Sequence, residues 1–355
     1  MKNTDRLFEL SNVDAVLVVS DKNRRYFTGF ASTFGYLVLL KGNKNVFITD
    51  PRYYEMAQVL VQDGVEVLQI ANGASAFGIV NDVLSSHNVK TVGYEDTELT
   101  VSQFAGIKDK LASYECVPVG HNIEFVRSIK TEEEISFIKK AQSITDLAFS
   151  KVLEIIKPGM TEIDLKVELE YLPAKNGADG LAFDTIIASG VNSSKPHAHP
   201  TSKVIQLGDP VTMDFGASFQ GYCSDMTRTV ALGRPSEEMV KVYNTVLEAQ
   251  LAGIALAKAG VVGSEVHNAA GKVIADAGYG EYFGHGYGHS LGVEIHENPR
   301  FSPLWDKPIG AGAALSAEPG IYLPGKFGVR IEDVVVLTEE GCRNITLAPK
   351  HLIIL

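Results

Sequence analysis

The stretch PVTMDFGASFQGYCSDMTRTVAL, residues 210–232, decides how this chain is read. Two apolar runs, each broken by one aspartate (Asp214 and Asp225), flank the turn-forming segment Ser218–Gly221. That is the pattern of an antiparallel hairpin. A regular hairpin centred on Phe219-Gln220 sets Asp214 directly opposite Asp225, with Cβ atoms about 5 Å apart on one face. Their neighbours Val211, Met213, Phe215, Met226 and Val230 are apolar. Like charges facing each other there are destabilising unless one takes a proton or a cation lies between them. The pattern recurs downstream. Glu318 interrupts AALSAEPGIYL (313–323) and Glu332 interrupts GVRIEDVVVL (328–337), on either side of a turn at Pro324–Phe327. One strand acid reads as a solvated edge; four in two hairpins read as a cation site.

His289 supplies a fifth candidate ligand. It ends Gly284-His285-Gly286-Tyr287-Gly288-His289, where glycines permit close backbone approach. Carboxylates with one imidazole and no thiolate form a hard ligand set suited to Mn2+, with Co2+, Fe2+ or Zn2+ as alternatives. Four carboxylates balance two divalent cations better than one. Such a pair can bridge a water, lower its pKa and present hydroxide to a carbonyl.

Working outward, the first 120 residues alternate strand and helix. Ala15–Val19 is a short apolar run, and Tyr36–Leu40 and Val46–Thr49 flank Lys41-Gly42-Asn43-Lys44 as a hairpin. A helix after Pro51, the strand Val65–Ile70, a helix near Ala74–Ser86, the strand TVGYE, a third helix and ECVPV follow. This alternation predicts an α/β domain on a mixed sheet. Beyond a boundary near Gly120–Lys130, Thr131-x-x-Glu134 and Thr161-x-x-Asp164 open two helices, the second ended early or kinked by Pro173. Strands follow from Phe183, then helices over Glu237–Ala259 and about Ser264–Ala277, then strands again. The second half is therefore α+β, with a faint repeat of two helices followed by strands. The predicted domains are 1–125 and 126–355.

A net charge of −11 and the lack of any Lys/Arg block argue against nucleic-acid binding. Cys116, Cys223 and Cys342 are too few and too scattered for a disulfide framework, which suits a reducing compartment. No leader-like apolar segment follows the first ten residues, and no run is long enough to span a bilayer. The expectation is a cytoplasmic protein without membrane association.

The segments FDTIIASG and KPHAHP, MDFGASFQGYCSDMTRT, FGHGYGHSLGVEIHENPR and AEPGIYLPGKFGVRIED resemble the pita-bread metallopeptidases: aminopeptidase P, prolidase and methionine aminopeptidase. RRYFTGF and FITDPRYYEMA resemble the creatinase-type domain that precedes the catalytic domain in proline-specific members. The resemblance implies a creatinase-like N-terminal domain followed by a pita-bread domain. It implies that Asp225 and Glu332 bridge two metals, that Asp214 completes one site, and that His289 and Glu318 complete the other. Glu318 would also handle the proton of the bridging water. His296 would stabilise the tetrahedral intermediate, His197 would contact the scissile amide, and His285 would line the proline side. Arg330 would order the carboxylates or meet a substrate carboxylate. Tyr287 departs from the small or aliphatic residue usual in the family, so it is expected to reshape the proline pocket. The resemblance also implies a homodimer.

The activity expected from these residues is removal of the residue before proline from peptides with proline in second position. Prolidase, restricted to Xaa-Pro dipeptides, is the alternative. Methionine aminopeptidase is remote, because its members usually lack a full domain like residues 1–120. A non-catalytic binding module of this fold typically loses ligands, whereas all five positions are filled here. Among the other histidines, His87, His121, His267 and His351 read as surface residues, and His197 is preferred to His199.

Overall fold

The apolar runs of the N-terminal third pair into a six-stranded mixed sheet in the computed structural model, which describes residues 2–355. Its order is Val65–Gln69, Asn45–Thr49, Tyr36–Leu40, Ala15–Val18, Thr91–Tyr94, Glu115–Pro118. The strands Tyr36–Leu40 and Asn45–Thr49 form the expected antiparallel hairpin, and the outer pairings are parallel. The helices Lys2–Ser11 and Asp21–Thr28 were not assigned from sequence. The second has a polar buried side, which hides the usual apolar period. Asn23 and Arg24 are buried, and Asn23 Nδ2 donates to the buried Glu95 at 2.7 Å. This unit ends at Arg127, and a second compact unit spans Ser128–Leu355.

The second unit carries its helices in two pairs, Glu132–Ile155 with Glu162–Lys175, and Glu237–Leu256 with Gly263–Asp276. Thr131 and Glu134 close a capping box on the first helix, as do Thr161 and Asp164 on the second. Pro173 does not end its helix early. The helix runs on to Lys175, and Pro173 sits in its final turn.

Each helix pair covers one face of a sheet. Phe149, Val152, Leu165 and Leu169 pack on Val211, Met213, Phe215, Met226 and Val230. Val242, Val246, Val266 and Ile274 pack on Leu315, Ile321, Val329 and Val335. Side chains alternate along a strand, so the intervening residues Thr212, Asp214, Thr227, Thr229, Ser316 and Arg330 face the other way. Yet these residues are buried too. At about 1.5–3 kcal/mol for each fully buried large apolar side chain, the helix-facing contacts hold in place a polar face that would not bury itself.

The first hairpin is two residues out of the expected register. Asp214 lies opposite Thr227, not Asp225, and Phe215 opposite Met226. The turn is Gln220-Gly221, both at positive φ (49° and 78°), as a two-residue hairpin loop requires. Ser218 pairs with Cys223 in that same register, and the ladder is interrupted in between, at the level of Asp225. A shift of two keeps both aspartates on the same face. In the second hairpin Ala317 pairs with Asp333 and Gly320 with Arg330, one register interrupted at Glu318-Pro319 and Ile331-Glu332. Both hairpins therefore open where an acid must reach inward. No helix among the described residues is long and apolar enough to cross a membrane.

Candidate metal centre and active site

The inward faces of the two hairpins meet at a cavity of about 790 Å3, lined by Asp214, Asp225, His289, Glu318 and Glu332 together with His197, His285, His296 and Arg330. Ligand atoms of Asp225, His289 and Glu332 lie within 4.8 Å of one another. His289 Nε2 is 3.1 Å from Glu318 Oε1 and 3.6 Å from Asp225 Oδ2. Its Nδ1 faces Ser290 O at 3.2 Å. A proton on Nδ1 for that carbonyl leaves the Nε2 lone pair aimed at carboxylates, the orientation of a metal-ligating imidazole.

Arg330 organises the floor of the cavity. Its Nη2 donates to Asp214 Oδ2 at 2.6 Å, Nε to Thr227 Oγ1 at 2.9 Å, and Nη1 to Tyr322 Oη at 2.7 Å and Pro196 O at 3.2 Å. Of the two tasks expected of it, the geometry gives it the ordering of carboxylates. Thr227 Oγ1 in turn donates to Glu332 Oε2 at 2.7 Å, and Ser316 Oγ donates to Glu318 Oε1 at 3.0 Å. Asp214 Oδ1 and Glu332 Oε1 are buried with no hydrogen-bond partner among the described residues. Buried charged oxygens without partners are costly. Unpartnered buried oxygens of this kind are what a hard cation needs.

The electrostatics agree. Burial pushes Asp225 well above the usual carboxylate range, and Glu332, Asp214 and Glu318 push it further. Glu332 is raised well above its ordinary value by burial and then by Glu318 and Asp214. Burial also raises Asp214 in spite of Arg330. Glu318 goes the other way. Burial opposes its ionisation but is outweighed by the hydrogen bond to His289 and by the attraction of His289, His285 and Arg330, which bring it down to about 2. Burial lowers His285 and His296. His285 Nδ1 lies 2.8 Å from Gly286 O and Nε2 3.1 Å from Tyr322 Oη. A neutral ring donating from Nδ1 and accepting from Tyr322 satisfies both contacts. The His296 and His289 rings meet edge to face, centroids 4.4 Å apart.

The model of metallopeptidase family M24 matches residues 136–339, which span the whole metal cluster. The chain belongs to that family. The M24 match is preceded by a creatinase/prolidase N-terminal domain match over residues 1–129. The Xaa-Pro dipeptidase of Pyrococcus furiosus is 36% identical over 98% of this chain and 97% of its own length. The solved Xaa-Pro dipeptidase from Bacillus anthracis is 42% identical, with a TM-score of 0.94 over 100% of this chain and 99% of that one. The X-Pro aminopeptidase from Thermotoga maritima is 36% identical, with a TM-score of 0.93 over 99% and 100%. This M24 chain thus has the creatinase-like and pita-bread architecture expected from its motifs, and its family implies divalent metals.

One expected pocket residue lies elsewhere in this M24 site. The Tyr287 side chain points into the core, packs on Phe301 and donates from Oη to Gln250 O at 2.6 Å. It is fully buried and does not line the cavity. The cause is strand alternation: Gly286, Gly288 and Tyr287 cannot share a face. His267, read as a surface residue, lines the cavity and stacks on Phe283. His199 lies outside it. Sequence reasoning missed Ser316 and Tyr322, although Ser316 precedes Glu318 by two residues and Tyr322 follows it by four, both even spacings that a strand puts on one face. It also missed Arg300, which pairs across the strands with His289, is exposed to the cavity, and makes no ion pair among the described residues.

Proposed function

We propose that this chain is a two-metal exopeptidase that hydrolyses the peptide bond preceding proline, with Xaa-Pro dipeptides as its substrate class. The observation carrying the reading is the set of four carboxylates that line one cavity with His289; Glu318 and Asp225 face its Nε2, and Asp214 Oδ1 and Glu332 Oε1 are unpartnered among the described residues. Asp225 and Glu332 would be shared between the ions, Asp214 would complete one site, and His289 with Glu318 the other; Mn2+ suits this set. Bound there, the ions would supply Lewis acidity and lower the pKa of water.

The remaining work falls to the chain itself. Glu318, held ionised and oriented by Ser316, is placed to accept a proton from water and pass it on. A peptide proline nitrogen carries no hydrogen, so it must be protonated to leave. His296, exposed in the cavity beside His289, can donate to the carbonyl oxygen as charge develops. His197 faces the same space and would hold the scissile amide. His285, fixed by Tyr322 and Gly286, would line the proline side. A homodimer, carried by the family likeness, belongs to the same proposal.

Arg300 favours the dipeptide. With Arg330 held by four hydrogen bonds, Arg300 is the guanidinium left in the cavity for a free carboxylate. The cavity's volume favours a second reading, an aminopeptidase acting on longer peptides. An assay of Xaa-Pro, its amide and Xaa-Pro-Xaa with Mn2+ and then chelator separates them. Arg300→Leu is expected to raise KM for the dipeptide about tenfold or more, the worth of one charged hydrogen bond, and to leave the amide unaffected. Efficient tripeptide cleavage with no effect of Arg300→Leu would convert the reading to aminopeptidase. No metal-dependent hydrolysis of any of them would remove the enzyme reading.

A further inference from the structure

The His296-Glu297 motif lends its histidine to the proposed chemistry and leaves its glutamate unused. The strands Gly288–Ser290 and Glu297–Phe301 pair Gly288 with Phe301 and His289 with Arg300, and then the register jumps to Ser290 opposite Glu297. The six residues between them form a loop that ends on His296. Lys130 Nζ, from the segment that precedes the helix Glu132–Ile155, donates to Glu297 Oε2 at 2.9 Å and to Ser290 Oγ at 3.3 Å. The two side chains of the ion pair are only 1% and 5% exposed. One ammonium thus bonds the residue that follows each of the two histidines.

The loop is built around the Glu297 carboxylate. Its Oε1 accepts Glu294 N–H at 3.2 Å. Gly292 lies against both oxygens, where an added Cβ would come within 2.9 Å. Gly292 O accepts Cys223 N–H at 2.8 Å. Lys130 is itself anchored by its backbone N–H on Gly312 O at 3.1 Å. Removing one partner of a buried ion pair leaves charge uncompensated and is strongly destabilising.

We propose that Lys130 and Glu297 are a charge-balanced positioning pair that holds the loop carrying His296 and so sets that imidazole against His289. The kinetic part rests on the role assigned to His296 above; the geometric part does not. The test combines Lys130→Met and Lys130→Met/Glu297→Gln with the imidazole Cε1–H NMR signals of the metal-free protein, His296 being assigned with His296→Ala. Lys130→Met is expected to shift or broaden the His296 signal while leaving that of His285 in place. It should lower kcat about 10- to 100-fold, as losing an outer supporting contact typically does, with KM unchanged. In a His296→Ala background the same substitution should cost nothing more. The double variant removes both charges and keeps an acceptor for Glu294 N–H, so it guards against misfolding and should return the His296 signal toward its original position. An unmoved His296 signal in Lys130→Met, a shift that persists in the double variant, or an undiminished kcat loss without His296 would overturn the proposal. Absence of Xaa-Pro hydrolysis by the unaltered enzyme would sink the functional reading alone, because the imidazole signals still judge the pair.

Discussion

Thr227→Val tests whether the metal-binding face is held by its own hydrogen bonds or only by the sheet. Thr227 is fully buried, lies opposite Asp214, donates to Glu332 and accepts from Arg330. Valine keeps the shape and removes the hydroxyl. Glu332 is raised well above its ordinary value, so the bond to it counts near the neutral value of about 1 kcal/mol, whereas the bond from the guanidinium contributes about 1.5–3 kcal/mol. The added methyl recovers roughly 0.8 kcal/mol of burial. The net loss is about 2–3 kcal/mol, read as a lower urea midpoint in chelator at an unchanged slope. Glu332 also loses its aim, so Mn2+ affinity by calorimetry should fall about 10- to 100-fold. Thr227→Ser, which keeps the hydroxyl, should retain most of the affinity. A Thr227→Val protein that unfolds within about 0.5 kcal/mol of the original and binds Mn2+ equally well would refute the reasoning.

Two further outcomes follow from the same geometry. Asp214, Asp225 and Glu332 have folded pKa values above their ordinary ones. They penalise the metal-free fold once the unfolded chain ionises, so stability in chelator should decline as pH rises from about 4. Mn2+ should abolish that decline and release protons on binding. Glu318, lowered to about 2, contributes in the opposite sense: its stabilisation is present above the ordinary carboxylate range and lost as pH falls toward 2. Melting curves from pH 2 to 8 with and without Mn2+ check both, and a metal-free Tm that rises from pH 5 to 8 would contradict the picture. Tyr287→Phe removes one buried bond to Gln250 O and should cost about 1 kcal/mol with the ranking of Xaa-Pro substrates unchanged. A changed substrate ranking would return Tyr287 to the pocket.

Four acids in apolar strands, a glycine-flanked histidine and the repeated order of helices and strands were legible in the sequence, because alternation and turn chemistry are local. They grouped Asp214 with Asp225 and Glu318 with Glu332 as two facing pairs of acids. Register was less secure. The first hairpin slipped by two because Gln220-Gly221, not Phe219-Gln220, accepts positive φ, and the aspartates kept their face only because the slip was even. The break at Glu318-Pro319 and Ile331-Glu332 also left its register unchanged.

What tertiary structure alone decided is which polar groups are already used. Arg330 looked free to meet a substrate and is consumed by Asp214, Thr227, Tyr322 and Pro196. Arg300 carried no motif and is left facing the cavity. Lys130 and Glu297, 167 residues apart, become neighbours only in the fold. Residue type and spacing determine what a side chain can do, whereas its partners come from distant segments. Buried donors and acceptors must be satisfied by whatever packing brings near, so the four carboxylates were readable in advance and the two oxygens left unpartnered among them were not.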